Sequence, residues 1–226
     1  MKRISPLSYL SLHSIIGLAL SFFFVWIFGE ITENVISGDT FVSFDQWVVR
    51  HMLHLRTIHL TSFMEAVTKL GGIIIIVPSG LLAAGYLLLK RQSNAAYGLA
   101  IAVIGGIILN NFLKILLQRP RPISESTLIA VSGWSFPSGH AMNSMIFYGM
   151  ISYLVVLYIR SWTMKIIAIV SGSSIVVLIG LSRIYLQVHY VSDVMAGFAC
   201  GLFWLCVCIT GMEITKKRRE IRDTTS

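Results

Sequence analysis

Residues 96–117 read AYGLAIAVIGGIILNNFLKILL, an apolar run that carries one charge, Lys114, close to its end. Roughly 20 residues of this kind are what a helix needs to cross the hydrocarbon core of a bilayer. Similar runs occupy about 7–29, 71–89, 141–159, 164–182 and 194–212. Six such segments predict an all-α fold, a polytopic helical bundle with six transmembrane helices forming a single membrane-embedded domain over 1–226.

The composition agrees. Hydrophobic residues make up 55% of the chain and charged residues only 12%, with a mean hydropathy of +0.78. A soluble chain carries about a quarter of its residues as charges, so most of this surface must face lipid. The net charge of +8 does not point to nucleic acid. Its clearest run, Lys216, Lys217, Arg218 and Arg219, follows the last apolar stretch, where cations anchor a helix against an anionic membrane face. Lys2 and Arg3 precede the first run in the order of a signal peptide, but that run is long, aromatic-rich and has no small-x-small cleavage site, which predicts a retained span.

Cations in the connections set the orientation. Lys2 and Arg3, Lys90 and Arg91, Arg160 and Lys165, and the tail over 213–226 with Arg222 all fall on one side if six helices alternate. That side is predicted to be cytoplasmic, with both termini. The opposite, extracellular or periplasmic side holds Arg50, Arg56, Lys69, Lys114, Arg119, Arg121 and Arg183, and also Glu30, Glu33, Asp39 and Asp45.

Between the first two runs, about 40–68, Phe41, Phe44, Trp47, Val48, Leu55 and Ile58 recur at roughly helical spacing among Arg50, His51, His54 and Arg56. One or two helices lying in the interface are expected there, with Trp47 at headgroup depth. His51, His54 and His59 have no carboxylate or cysteine to complete a metal site and are expected to be solvated. Cys200, Cys206 and Cys208 share one apolar stretch and pair with nothing, so they are expected to pack; Gly197 and Gly201, four apart, let a second helix approach closely.

Ionisable groups at the ends of apolar helices are costly and mark function. They gather in three clusters on the outer side. Lys114 precedes Arg119-Pro120-Arg121-Pro122, where the prolines end the helix and turn two guanidinium groups across its mouth. Phe136-Pro137-Ser138-Gly139-His140 stands at the start of the fourth span, where Ser138 should cap the helix and free N–H groups should make an anion site. His140 adds a group that can donate a proton. Finally Ser182 and Arg183 are followed by His189 and Asp193, whose spacing of four places them on one helical face, so that Asp193 can orient His189 as nucleophile or base. Cations, a capped helix start, two histidines and one acid suit a tetrahedral oxyanion such as phosphate.

These three segments resemble the signature of the type-2 phosphatidic acid phosphatase superfamily. Lys114, six residues, then Arg121-Pro122; Pro137-Ser138-Gly139-His140; and Ser182-Arg183, five residues, His189, three residues, Asp193 match it at each position. The resemblance implies a metal-independent lipid phosphatase or diphosphatase with no cofactor, working through a phosphohistidine. His189 would be the nucleophile, Asp193 its orienting partner and His140 the acid. Lys114, Arg121, Ser138, Gly139 and Arg183 would cradle the phosphate, while Arg119 lies outside the signature. Undecaprenyl diphosphate, phosphatidylglycerophosphate and phosphatidate are the substrates it suggests, with membrane lipids around the protein and no obligatory protein partner. Carboxylates near the site are limited to Asp193 and Glu125, too few for two divalent ions. Two other functions fit parts of the pattern: a lipid phosphotransferase using the same intermediate, and an anion or lipid transporter, which would need no His189–Asp193 pair.

Overall fold

The structure is a computed structural model that describes residues 12–38, 40–122 and 132–225. Lys2, Arg3, Asp39 and Glu125 lie outside them. Eight helices and no strand occur among the described residues: α1 (Leu12–Ser37), α2 (Thr40–His54), α3 (Ile58–Lys69), α4 (Ile73–Leu89), α5 (Ser93–Leu117), α6 (Gly139–Tyr158), α7 (Trp162–Tyr185) and α8 (Val191–Thr225).

Five of them, α1, α5, α6, α7 and α8, are each long and apolar enough to cross a bilayer. The sixth span differs from expectation. α4 has 17 residues, short of a full crossing, and its apolar run is completed by α3, to which it is joined with a bend of 43°. The break falls at Leu70, Gly71 and Gly72. The interfacial segment is therefore divided: α2 stands alone, while α3 forms one limb of a bent pair. Gly71 marks how tightly this bend is packed, because a Cβ there would lie 2.6 Å from Ile179 Cγ2 and 3.3 Å from the carbonyl oxygen of His140.

The outward faces carry large apolar side chains with nothing over them, including Ile74, Leu89, Trp162 and Phe22. In water such a surface would be prohibitive; against acyl chains it is neutral. The chain is a multi-pass membrane protein. Because lipid tails are as apolar as leucine, helix association here depends on close packing rather than on escape from water. α6 and α8 illustrate it. A Cβ on Gly197 would lie 2.7 Å from the Ser138 carbonyl oxygen, and one on Gly201 would lie 2.9 Å from Met145 Cβ. The two glycines let the α8 backbone lie directly against the start of α6. Around that contact Leu99, Met142, Ile146 and Met150 form the main core with Cys200 and Cys208. All three cysteines are unpaired; Cys200 and Cys208 are buried in the packing role expected of them, and Cys206 is half-buried.

Candidate functional site

Three stretches of irregular backbone converge at one end of the bundle. α5 ends at Gln118, whose φ of 45° turns the chain out of the helix. The chain then runs without regular secondary structure through Arg119–Pro122. Ser135 N–H donates to the Arg119 carbonyl at 2.8 Å, and Ser138 N–H donates to the Asp193 carbonyl at 3.0 Å. These two bonds stitch the segment after α5, the turn before α6 and the start of α8 into one unit. The three clusters, up to 79 residues apart in sequence between Lys114 and Asp193, are thus brought together.

His189 sits just ahead of α8 and is 2% exposed. Its Nδ1 is 3.3 Å from Asp193 Oδ2 and its Nε2 is 3.3 Å from Arg121 Nη1. A guanidinium can only donate, so Nε2 must present its lone pair and Nδ1 must carry the proton. That is the tautomer in which Asp193 accepts from the ring. Burial pulls the His189 pKa down to about 4, more than the Asp193 hydrogen bond and charge raise it. The imidazole is neutral at physiological pH. Asp193 Oδ2 also accepts from the Tyr190 N–H at 2.9 Å and from Ser135 Oγ. Its Oδ1 receives Arg119 Nη1 at 2.6 Å.

Opposite His189 lies a cavity of about 1010 Å³, lined by Lys114, Arg121, His140, Arg183, Asn110 and Gly139 among others. Lys114 Nζ donates to the Trp134 carbonyl at 2.9 Å. Apart from its contact with His189 Nε2, Arg121 is held by carbonyl oxygens, with Nε on Gly133 at 3.0 Å and Nη1 on Val188 at 2.7 Å. Burial lowers the Arg121 pKa, with Asp193 opposing. Arg183 Nη1 donates to Thr68 Oγ1 at 2.8 Å, while its Nε is buried without a partner. A buried, unpaired guanidinium nitrogen costs free energy unless something arrives to accept from it. Gly139 is close-packed for a reason: a Cβ there would lie 2.9 Å from Asn110 Oδ1.

Ser138 departs from expectation. It occupies the N-cap position of α6, but its side chain makes no capping bond. Its Oγ is buried and unpaired, its N–H is already committed to Asp193, and it does not line the cavity. The free donors expected at this helix start therefore begin no earlier than Gly139. His51 and His54 are exposed on α2 and His59 is exposed on α3. Among the described residues no group of three or more His, Cys, Asp or Glu is placed to hold a metal ion.

Several partners have no counterpart in the sequence reading. Asp45, fully buried on α2, binds Arg119 Nη2 at 2.9 Å through Oδ2. Ser192 donates its N–H to Asp45 Oδ1 at 3.0 Å, and its Oγ contacts both Asp45 and Arg119. Ser135, Asn110 and Thr68 complete the list. Ser135 and Ser192 had nearby signals, their positions beside the proline-serine-glycine-histidine turn and beside Asp193.

A bundle of apolar helices with a polar cavity walled by cations and two histidines defines a membrane protein suited to hold an anionic group. Residues 95–216 match the PAP2 superfamily. The chain is 32% identical to phosphatidylglycerophosphatase B of Bacillus subtilis (strain 168), over 88% of this chain and 96% of that protein. It is 24% identical to undecaprenyl-diphosphatase of Sulfolobus acidocaldarius, over 85% and 89% of the two. The crystal structure of a transmembrane PAP2-type phosphatidylglycerolphosphate phosphatase from Bacillus subtilis superimposes with a TM-score of 0.74 at 28% identity, covering 85% of this chain and 94% of the other. The chain belongs to the PAP2 superfamily and is a membrane lipid phosphatase.

Proposed function

We propose that this phosphatase hydrolyses the terminal phosphate of a lipid phosphomonoester or diphosphate at the outer leaflet, through a phosphohistidine on His189. The similarity to a phosphatidylglycerophosphatase and an undecaprenyl-diphosphatase favours phosphatidylglycerophosphate and undecaprenyl diphosphate as substrates, with phosphatidate next. The His189 geometry supports this most strongly. Its Nε2 lone pair faces a cation-walled cavity while Nδ1 is held by Asp193.

In the first half-reaction Nε2 attacks phosphorus and the bond to the leaving oxygen breaks. His140 gives that oxygen a proton, and the Nδ1–H···Asp193 contact stabilises the positive ring. Lys114, Arg121 and Arg183 neutralise the charge spread over the phosphoryl oxygens and hold them for in-line attack. Gly139 lets the backbone come close, and Arg183 Nε is a donor left unpaired in the cavity wall, whereas the unpaired Ser138 Oγ lies outside that lining. In the second half-reaction water attacks the phosphohistidine, giving its proton to His140, and inorganic phosphate leaves. The protein's own cations supply the charge that divalent ions supply in metal phosphatases.

The two histidines should be separable by leaving group. A lipid alkoxide needs the proton; a nitrophenolate does not. Nitrophenyl phosphate should therefore restore much of the ~10²–10⁴-fold loss expected in His140→Ala, and restore nothing in His189→Ala. A labelled phosphoenzyme that persists in His189→Ala would refute the assignment.

A further inference from the structure

Arg119 lies outside the three-part signature, yet its guanidinium is held at both terminal nitrogens and over one face. Nη1 binds Asp193 Oδ1 at 2.6 Å and Ser192 Oγ at 2.7 Å, Nη2 binds Asp45 Oδ2 at 2.9 Å, and its face lies 4.3 Å from the centre of the Tyr190 ring. Asp45 and Asp193 are both 0% exposed. One cation thus bridges two buried carboxylates, one on α2 and one on α8.

A carboxylate held at one oxygen can still swing, because the terminal torsion of an aspartate is broad. Asp193 Oδ2 serves His189, Tyr190 N–H and Ser135. The second oxygen is what the rigid Arg119 fork holds. We propose that Arg119 and Asp45 are positioning residues for the phosphatase reaction: Asp45 on α2 anchors the Arg119 fork, and the fork locks the plane of the Asp193 carboxylate that orients His189. The inference rests on the reading of His189 as nucleophile.

The clamp has an electrostatic side as well. An unshielded buried carboxylate beside His189 would draw a proton onto the ring and remove the lone pair that attacks. Arg119 takes up part of that negative charge. Besides Asp193 on α8, His189 faces Arg121 from the segment after α5 and Arg183 from α7; Lys114 on α5 and His140 on α6 line the same cavity. None of these is substituted when the clamp is altered.

Arg119→Gln alone would leave two buried carboxylates without a cation and endanger folding. The informative variant is the double substitution Asp45→Asn with Arg119→Gln, which removes one charge of each sign. With the full-length protein in detergent, two readouts apply. Turnover of nitrophenyl phosphate and of phosphatidylglycerophosphate should fall about 10–100-fold in kcat with KM within about twofold, as outer partners of a ligating group typically cost. Independently of activity, carbethoxylation of His189 by diethyl pyrocarbonate, read by mass spectrometry against pH, should shift its midpoint upward by about one unit or more, since Asp193 has lost its cation, while Asp45 bonds to Arg119 and Ser192 rather than to His189. Arg119→Lys should keep the midpoint near that of the wild type, because the charge remains, yet still lose kcat, because an ammonium lacks the fork. A double variant with unchanged kcat, or with a His189 midpoint that stays or moves down as mere loosening of Asp193 would cause, overturns the clamp. Turnover surviving in His189→Ala sinks the nucleophile assignment instead, and the carbethoxylation midpoint still judges the clamp.

Discussion

Replacing Gly197 by alanine should damage catalysis from a position that touches no substrate. The added Cβ would lie 2.7 Å from the Ser138 carbonyl, 3.0 Å from Ala141 Cβ and 3.3 Å from the Met142 nitrogen. Ordinary contact begins near 3.4 Å, so α6 and α8 must part by about 0.7 Å, and the obstacle is backbone that no rotamer change can clear. The start of α6 carries Gly139 and His140, and the start of α8 carries Asp193, so the shift falls directly between the proposed acid and the proposed nucleophile pair. Overpacking of this size costs about 1–3 kcal/mol of stability, and a misplacement approaching 1 Å can cost about 10²-fold in rate. Gly85→Ala is the control, since nothing lies within 4 Å of its Cβ on the exposed face of α4. Phosphate release from phosphatidylglycerophosphate, measured at equal folded protein as judged by thermal midpoint, should fall roughly 30–300-fold in Gly197→Ala and stay within about twofold in Gly85→Ala. Wild-type turnover in Gly197→Ala would refute the claim that this helix contact sets the distance between the two histidines.

Burial holds the His189 pKa at about 4, so the attacking lone pair is present above that value and lost as pH falls through it. Rapid-quench phosphoenzyme formation should accordingly persist at pH 5, and a His189-dependent loss centred at 6.5 would contradict it. Activity should survive EDTA, and vanadate should inhibit by imitating the five-coordinate phosphorus bound to His189; loss of turnover in EDTA with recovery on adding magnesium would count against a cation-only cradle. With Cys200, Cys206 and Cys208 replaced by alanine, impermeant thiol reagents applied to intact cells should label Ser132→Cys and spare Gln92→Cys. The reverse pattern would invert the topology.

Local chemistry was legible in the sequence and distant partnership was not. Lys114, Arg121, His140, Arg183, His189 and Asp193 could be singled out because charges beside apolar helices stand out against their surroundings, and the spacing of His189 and Asp193 already implied contact. Asp45 could not be found that way. It lies in an amphipathic segment where acids are ordinary, and its partners Arg119 and Ser192 are 74 and 147 residues distant. Arg119 was indistinguishable from a cation at the membrane boundary until its three bonds were seen. Ser138 failed differently: the residue type suits a cap, but tertiary bonding to Asp193 took its N–H and left the hydroxyl unpaired. The bend between α3 and α4 escaped because hydropathy measures length, and two short limbs with one apolar total look like a single span with an unrelated neighbour.

The Trp134 carbonyl receives both Lys114 Nζ at 2.9 Å and Arg121 Nη2 at 3.3 Å. One backbone oxygen therefore acts as a stand-in anion between two cations that would otherwise repel each other. Free phosphate, once formed, has to compete with that oxygen for the same donors. The carbonyl can reclaim them as soon as the ion begins to leave, so each departure step is met by a replacement bond rather than by bare charge. Product release should be quick for a site so densely cationic, and inhibition by inorganic phosphate correspondingly weak.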